Sequence, residues 1–97
     1  MSFRVHYEPE AELDILDAMH WYGEQHAGLE GDLLEAILDA EDVIQANPFL
    51  HAVKYRDIRW VHVKRFPYAL HYFVDQDIVR VIGCIHFSRD PKIWPGA

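Results

Sequence analysis

One dipeptide, Asn47-Pro48, constrains this chain more than any other feature. Hydrophobic residues recur with a helical period before it and with a strand period after it. Leu29, Leu33, Ala36, Ile37, Ala40, Val43 and Ile44 keep i, i+3, i+4 spacing, while Glu30, Glu35, Asp39 and Glu41 take the opposite side. The residue before a proline is pushed out of the helical region, so this helix must stop at Asn47. Upstream, Glu8-Pro9-Glu10 opens another helix, with proline suited to the first turn and the acids favourable at its positive end. Its apolar face is Ala11, Ile15, Ala18, Met19 and Tyr22; Leu13, Leu16 and Trp21 fall off that face. His26-Ala27-Gly28 breaks the pattern with a tight turn, so the two helices form an antiparallel hairpin.

Strands flank this hairpin. Residues 3–7 alternate, with Phe3, Val5 and Tyr7 on one side and Arg4 and His6 on the other. Residues 58–64, 68–74 and 78–87 are rich in valine, isoleucine and aromatics, with turn residues between them, and read as a three-stranded meander. Tight turns at Phe66-Pro67 and Gln76-Asp77 pair Arg65 with Tyr68, and Asp75 with Ile78. Strict alternation then puts Val61, Val63, Leu70, Tyr72, Val74, Val79, Val81 and Ile85 beneath the helices. Trp60, His62, Lys64, Ala69, His71, Phe73, Arg80, Cys84 and His86 face outward. The expectation is an α+β fold: a strand, an antiparallel helical hairpin and a three-stranded antiparallel meander, with the helices on one face of the sheet. Residues 1–97 make one domain, because two cores in this length would each be marginal. Residues 88–97, with two prolines, form an irregular C-terminal tail.

Charge divides at the same boundary. Residues 1–50 hold one basic and 12 acidic side chains, whereas residues 51–97 hold eight basic and four acidic ones. The net charge of −7 therefore sums a −11 half and a +4 half. The total argues against indiscriminate binding to a polyanion, while the local excess leaves one basic, aromatic sheet face for a specific partner. No apolar run is long enough for a membrane span, and the N-terminus lacks the order of a signal peptide. A single cysteine, Cys84, excludes an internal disulfide and fits a reducing cytosol.

Familiar chemistries find little support. The glycines are too scattered for a phosphate loop or dinucleotide fingerprint, and Ser2 and Ser88 are the only serines available to a triad. Cys84 has no evident activating base. The seven histidines include no pair at zinc-finger or His-x-x-x-His spacing. In the register above, His62 and His71 are cross-strand neighbours, but His86 is too far along its strand to complete a metal site, so none is expected. What remains is the outer face, where arginine and lysine can fork onto phosphate or carboxylate, aromatics can stack, and His86 can move a proton.

The motifs, taken in order, resemble the RelE/ParE superfamily of bacterial type II toxin–antitoxin toxins over nearly the whole chain. The resemblance is carried by Ala11, Asp14 and Trp21-Tyr22, by Gly28-Leu29, by Asn47-Pro48 and by Ile58-Arg59. It continues in Arg65-Phe66-Pro67-Tyr68-Ala69-Leu70-His71-Tyr72 and in His86-Phe87-Ser88-Arg89-Asp90-Pro91 with Trp94. It implies a small cytoplasmic toxin, without cofactor, neutralised by a cognate antitoxin whose flexible, acidic segment orders on the basic sheet face or its edge.

Two activities occur in that superfamily: ParE-like members bind DNA gyrase, and RelE-like members cut messenger RNA on the ribosome without metal. The nucleases resemble one another in a strand arginine that faces the cleaved phosphate; here that position is Ala69, which cannot stabilise an oxyanion. The Arg-Phe-Pro-Tyr block instead resembles the ParE-like, plasmid-stabilisation branch. The expectation is a binding toxin rather than an enzyme, with Arg59, Trp60, Lys64, Arg65, Arg80, His86 and Arg89 contacting partners. The alternatives are a ribosome-dependent endoribonuclease working through Arg65, His86 and Arg89, with His86 sharing the face of Ala69, and a degenerate antitoxin-binding module that is no longer toxic.

Overall fold

The computed structural model describes residues 3–88. Strand β1 (Arg4–Tyr7) leads into α1 (Pro9–Gln25) and α2 (Leu29–Ala46). Four strands follow: β2 (Val53–Tyr55), β3 (Ile58–Val63), β4 (Tyr68–Asp75) and β5 (Ile78–His86). They form one sheet in the order β1-β5-β4-β3-β2, with β1 parallel to β5 and every other pair antiparallel. The fold is α+β with both helices on one face, as the two periodicities require.

Local chemistry explains the hairpin. Pro9 occupies the first helical turn with Glu10 and Glu12 beside it, where acids complement the helix dipole. At the bend, Gly28 takes φ +96°, a left-handed conformation in which a side chain is strained. The helices bury Ala11, Ala18, Leu33, Ala36, Ile37, Ala40 and Ile44 against Val61, Val63, Leu70, Tyr72, Val79 and Val81 of the sheet. Leu13, Leu16 and Trp21 are more than half exposed, as their positions off the apolar face of α1 require. Past α2, the phenol of buried Tyr72 donates to the Pro48 carbonyl at 2.7 Å, tying the helix exit to the middle of the sheet.

Three features depart from strict alternation. First, β2 was not expected: its three residues are all exposed, so they carry no buried period to read. Second, the β3–β4 register pairs Val63 with Tyr68 and Trp60 with His71, so His62 faces Ala69 and not His71. The turn spans Lys64 to Pro67, with Arg65 at φ +74°. This longer turn tucks Phe66 under Tyr22 of α1, with ring centroids 5.1 Å apart, and lets the His62 ring meet the Phe66 carbonyl at 2.8 Å. Sliding by two residues leaves every side chain on its expected face.

The third departure moves side chains across the sheet. The β4–β5 register runs as expected from Asp75–Ile78 to Tyr72–Val81, then shifts so that His71 pairs with Gly83 and Leu70 with Cys84. Ile82 is the extra residue of a β-bulge, and beyond it the alternation of β5 reverses. Cys84 joins the helix-side core, Ile85 turns to the opposite face beside Ala69, and His86 pairs with Tyr68. The expected placements of Cys84, Ile85 and His86 are therefore all inverted, and His86 does not share a face with Ala69.

Replacing Tyr72 with phenylalanine leaves the Pro48 carbonyl without its donor. The variant is expected to lose about 1–2 kcal/mol in urea unfolding with an unchanged m-value; a loss below a few tenths would show that the bond does not anchor the helix exit.

Candidate functional site

The structure separates the expected site residues onto two surfaces. On the outer sheet face, Trp60 packs against His71 at 5.5 Å and edge-on to Phe87 at 5.7 Å between ring centroids, and Phe87 also meets His62 at 5.2 Å. The Lys54 ammonium lies 5.6 Å from the Trp60 ring, within reach of a cation–π attraction. The centre of this face is thus aromatic, with cations at its rim. Burial drives the His71 pKa down to about 4, so the ring is neutral at pH 7 and adds no charge.

Several cations counted in the basic half are engaged elsewhere. Arg80 donates to Glu8 at 3.1 Å and to Asp75 at 3.2 Å, bonds that raise its pKa and link β5 to the entry of α1. Arg59 shares the helix-side face with Tyr72, donates to the His51 carbonyl at 2.6 Å and stacks on Phe49. It organises the segment between α2 and β2. Lys64 and Arg65 are exposed in the β3–β4 turn, and neither side chain has a hydrogen bond or ion pair among the described residues. Arg89, and the tail beyond Ser88, lie outside the described residues.

His86 belongs to the second surface, a cleft of about 490 Å³ between α1 and the ends of β4 and β5. Asp14, Asp17 and Trp21 reach it from α1, and Tyr68, His86 and Ser88 from the sheet side. The His86 ring lies edge-on to Tyr68 at 5.1 Å, and its Nδ1 accepts the Ser88 backbone N–H at 3.0 Å. The Ser88 hydroxyl also meets Nδ1, at 2.7 Å. Cys84 sits at the base of the cleft. Burial, and then the Asp14 carboxylate, push its thiol up to about 12, so it stays protonated and is a poor nucleophile.

Asp14 has a structural task here. Strand β1 ends at Tyr7, the Glu8 N–H bonds to the Val81 carbonyl, and the next open position on β5 is the Cys84 N–H. Asp14 Oδ2 accepts that N–H at 3.0 Å, in place of the strand that has ended. Asp14, Asp17, Ala18 and Trp21 form an i, i+3, i+4, i+7 stripe on α1. The apolar pattern of the sequence did not single out this face, since it groups Ala18 with the core and sets Trp21 apart from it. What the face opposes was hidden by the bulge. Among the described residues, no group of three or more His, Cys, Asp or Glu side chains is arranged to hold a metal ion, and no helix is long and apolar enough to cross a membrane.

No protein-family model matches the chain, and no curated protein matches it in sequence. Its architecture is similar to that of a solved chain described as the chromosomal ParDE TA system from P. aeruginosa, with a TM-score of 0.77. The match covers 87% of this chain and 95% of that one at 11% sequence identity. The chain therefore shares the fold of that chain from a ParDE system.

Neutral His71 gives stability a defined pH dependence. Its pKa is lower in the fold than the unfolded value of 6.5, so the unfolded chain binds the extra proton first. That contribution is complete above pH 6.5 and is lost as the pH falls towards about 4. The loss is on the order of 3 kcal/mol when fully developed. Urea midpoints across this window are expected to fall more steeply in the wild type than in His71→Phe; parallel curves would contradict a neutral buried ring.

Proposed function

We propose that this chain is the toxin of a type II toxin–antitoxin system, neutralised by a cognate antitoxin, and that it acts in the cytoplasm by binding a host protein such as DNA gyrase. The supporting observation is the similarity of fold, over nearly all of both chains, to the chain from a ParDE system. The acceptor for the antitoxin is the β2 edge with the adjoining outer face. There Val53 and Tyr55 are exposed next to Lys54 and Arg56. An exposed edge strand offers backbone hydrogen bonds to an added segment, and the rim cations Lys54, Arg56, Lys64 and Arg65 suit acidic side chains on it.

The geometry favours binding over nuclease chemistry. Ala69, at the position where the nucleases carry arginine, is fully buried on the outer face, whereas His86 lies on the other side of the sheet. A transition state held between those two positions would have to span the sheet itself. Arg65 lies exposed in the β3–β4 turn, which meets the end of β5 where the Phe87 N–H donates to the Pro67 carbonyl, and the His86 Nδ1 is occupied by the Ser88 N–H.

Purified toxin is expected to inhibit DNA supercoiling by gyrase while messenger RNA in a translation extract stays intact. Adding the antitoxin encoded beside it restores supercoiling. Codon-located cleavage that disappears in His86→Ala would establish the endoribonuclease instead, and inactivity in both assays would indicate the degenerate module.

A further inference from the structure

The α1–β5 cleft has a composition opposite to that of the edge assigned to the antitoxin. Two carboxylates, Asp14 and Asp17, face it from consecutive turns of α1, and no lysine or arginine is among its described lining residues. Asp14 uses Oδ2 on the Cys84 N–H, which fixes the carboxyl plane at the cleft wall. Asp17 is exposed and makes no hydrogen bond or ion pair among the described residues. Beside the acids runs a chain of rings. Trp21 meets Tyr22 edge-on at 4.8 Å, Tyr22 meets Tyr68 at 6.3 Å, and Tyr68 meets His86 at 5.1 Å.

Carboxylates beside aromatic rings in a half-open cleft suit one kind of group best. A planar cation satisfies both walls, forking onto an acid while its face lies against a ring. An ammonium would meet the acids but lacks the flat surface, and an anion would be repelled. We propose that the cleft is a subsite for an arginine side chain presented by a protein partner, which, on the toxin reading above, is the antitoxin. The partner segment then needs two chemistries: acidic residues for the β2 edge and at least one arginine for the α1–β5 cleft. This polarity follows from the bulge at Ile82, which places His86 and Cys84 on the side of Asp14.

The test titrates the full-length chain with N-acetyl-arginine methylamide and follows the Trp21 indole and Cys84 amide cross-peaks by NMR. Both are expected to shift saturably, and the matching norleucine compound should leave them in place. Asp17→Asn, which touches no bond of the fold, should weaken the probe about fivefold, the upper end of what an exposed ion pair contributes. Equal shifts with norleucine, no saturation, or an unchanged affinity in Asp17→Asn would overturn the subsite. The chain's own Arg89 is the competing occupant. If Arg89→Gln in the full-length chain moves these peaks before any probe is added and tightens the probe, the cleft is filled in cis and the partner assignment falls. In the toxin–antitoxin complex, Asp17→Asn should weaken affinity by a similar factor, and unchanged affinity would also overturn that assignment. The probe titration contains neither antitoxin nor gyrase, so its failure removes the subsite and leaves the toxin reading standing.

Discussion

The hydrogen bond from the Cys84 N–H to the Asp14 carboxylate holds the end of β5 against α1. Strand β5 is nine residues long and its parallel neighbour β1 only four, so β5 continues past the end of its partner. Buried backbone donors need acceptors, and leaving one unpaired costs roughly 1–3 kcal/mol. A carboxylate from the second turn of α1 fills that need. The contact also fixes the distance between α1 and the sheet at the point where the cleft opens.

The β-bulge acts with this contact. With Ile82 unpaired, the sheet keeps Val79 and Val81 beneath the helices and still brings Cys84 to them on the far side of the bulge. One extra residue thus divides the recognisable motif residues between two surfaces. The outer face keeps Trp60, His71 and Phe87, while the helix-side cleft gains His86. The charge asymmetry of the sequence is redistributed as well. Arg80 is bound by Glu8 and Asp75, and Arg59 is turned to the segment after α2, so among the described residues the excess in the second half does not form a broad basic patch. A surface of aromatic rings rimmed by separate cations is better matched to a protein segment than to an extended phosphate backbone.

Much of the fold was legible because burial imposed a period. The hairpin, the turn at Gln76-Asp77 and the core positions of β3 and β4 follow from alternation and helical spacing alone. The unreadable parts lack such a signal. Strand β2 has no buried residue, so only its pairing with β3 defines it. The β3–β4 turn was misplaced because Phe66 reads as a turn residue beside Pro67, whereas it is a core residue under Tyr22. The bulge carries one mark, the strand glycine Gly83. Val81-Ile82-Gly83-Cys84-Ile85 is otherwise small or apolar and suits either face, so alternation alone does not place it. The candidate site was therefore only half legible. Of its outer rings Trp60, His62 and His71 were found and Phe87 was not, because the bulge carries it across the sheet. On α1, Asp14 was seen as a motif residue without a surface to belong to, and Asp17 was not singled out.

The central claim is that β5 changes face at Ile82, which places His86 in the α1 cleft and separates it from the outer face. Nuclear Overhauser contacts in the free protein test this directly. The account predicts contacts from the His86 ring to the Tyr68 ring, and from the Ile85 methyls to Ala69. Contacts from the His86 ring to the Ala69 methyl and the His71 ring, with Ile85 against the helices, would contradict it.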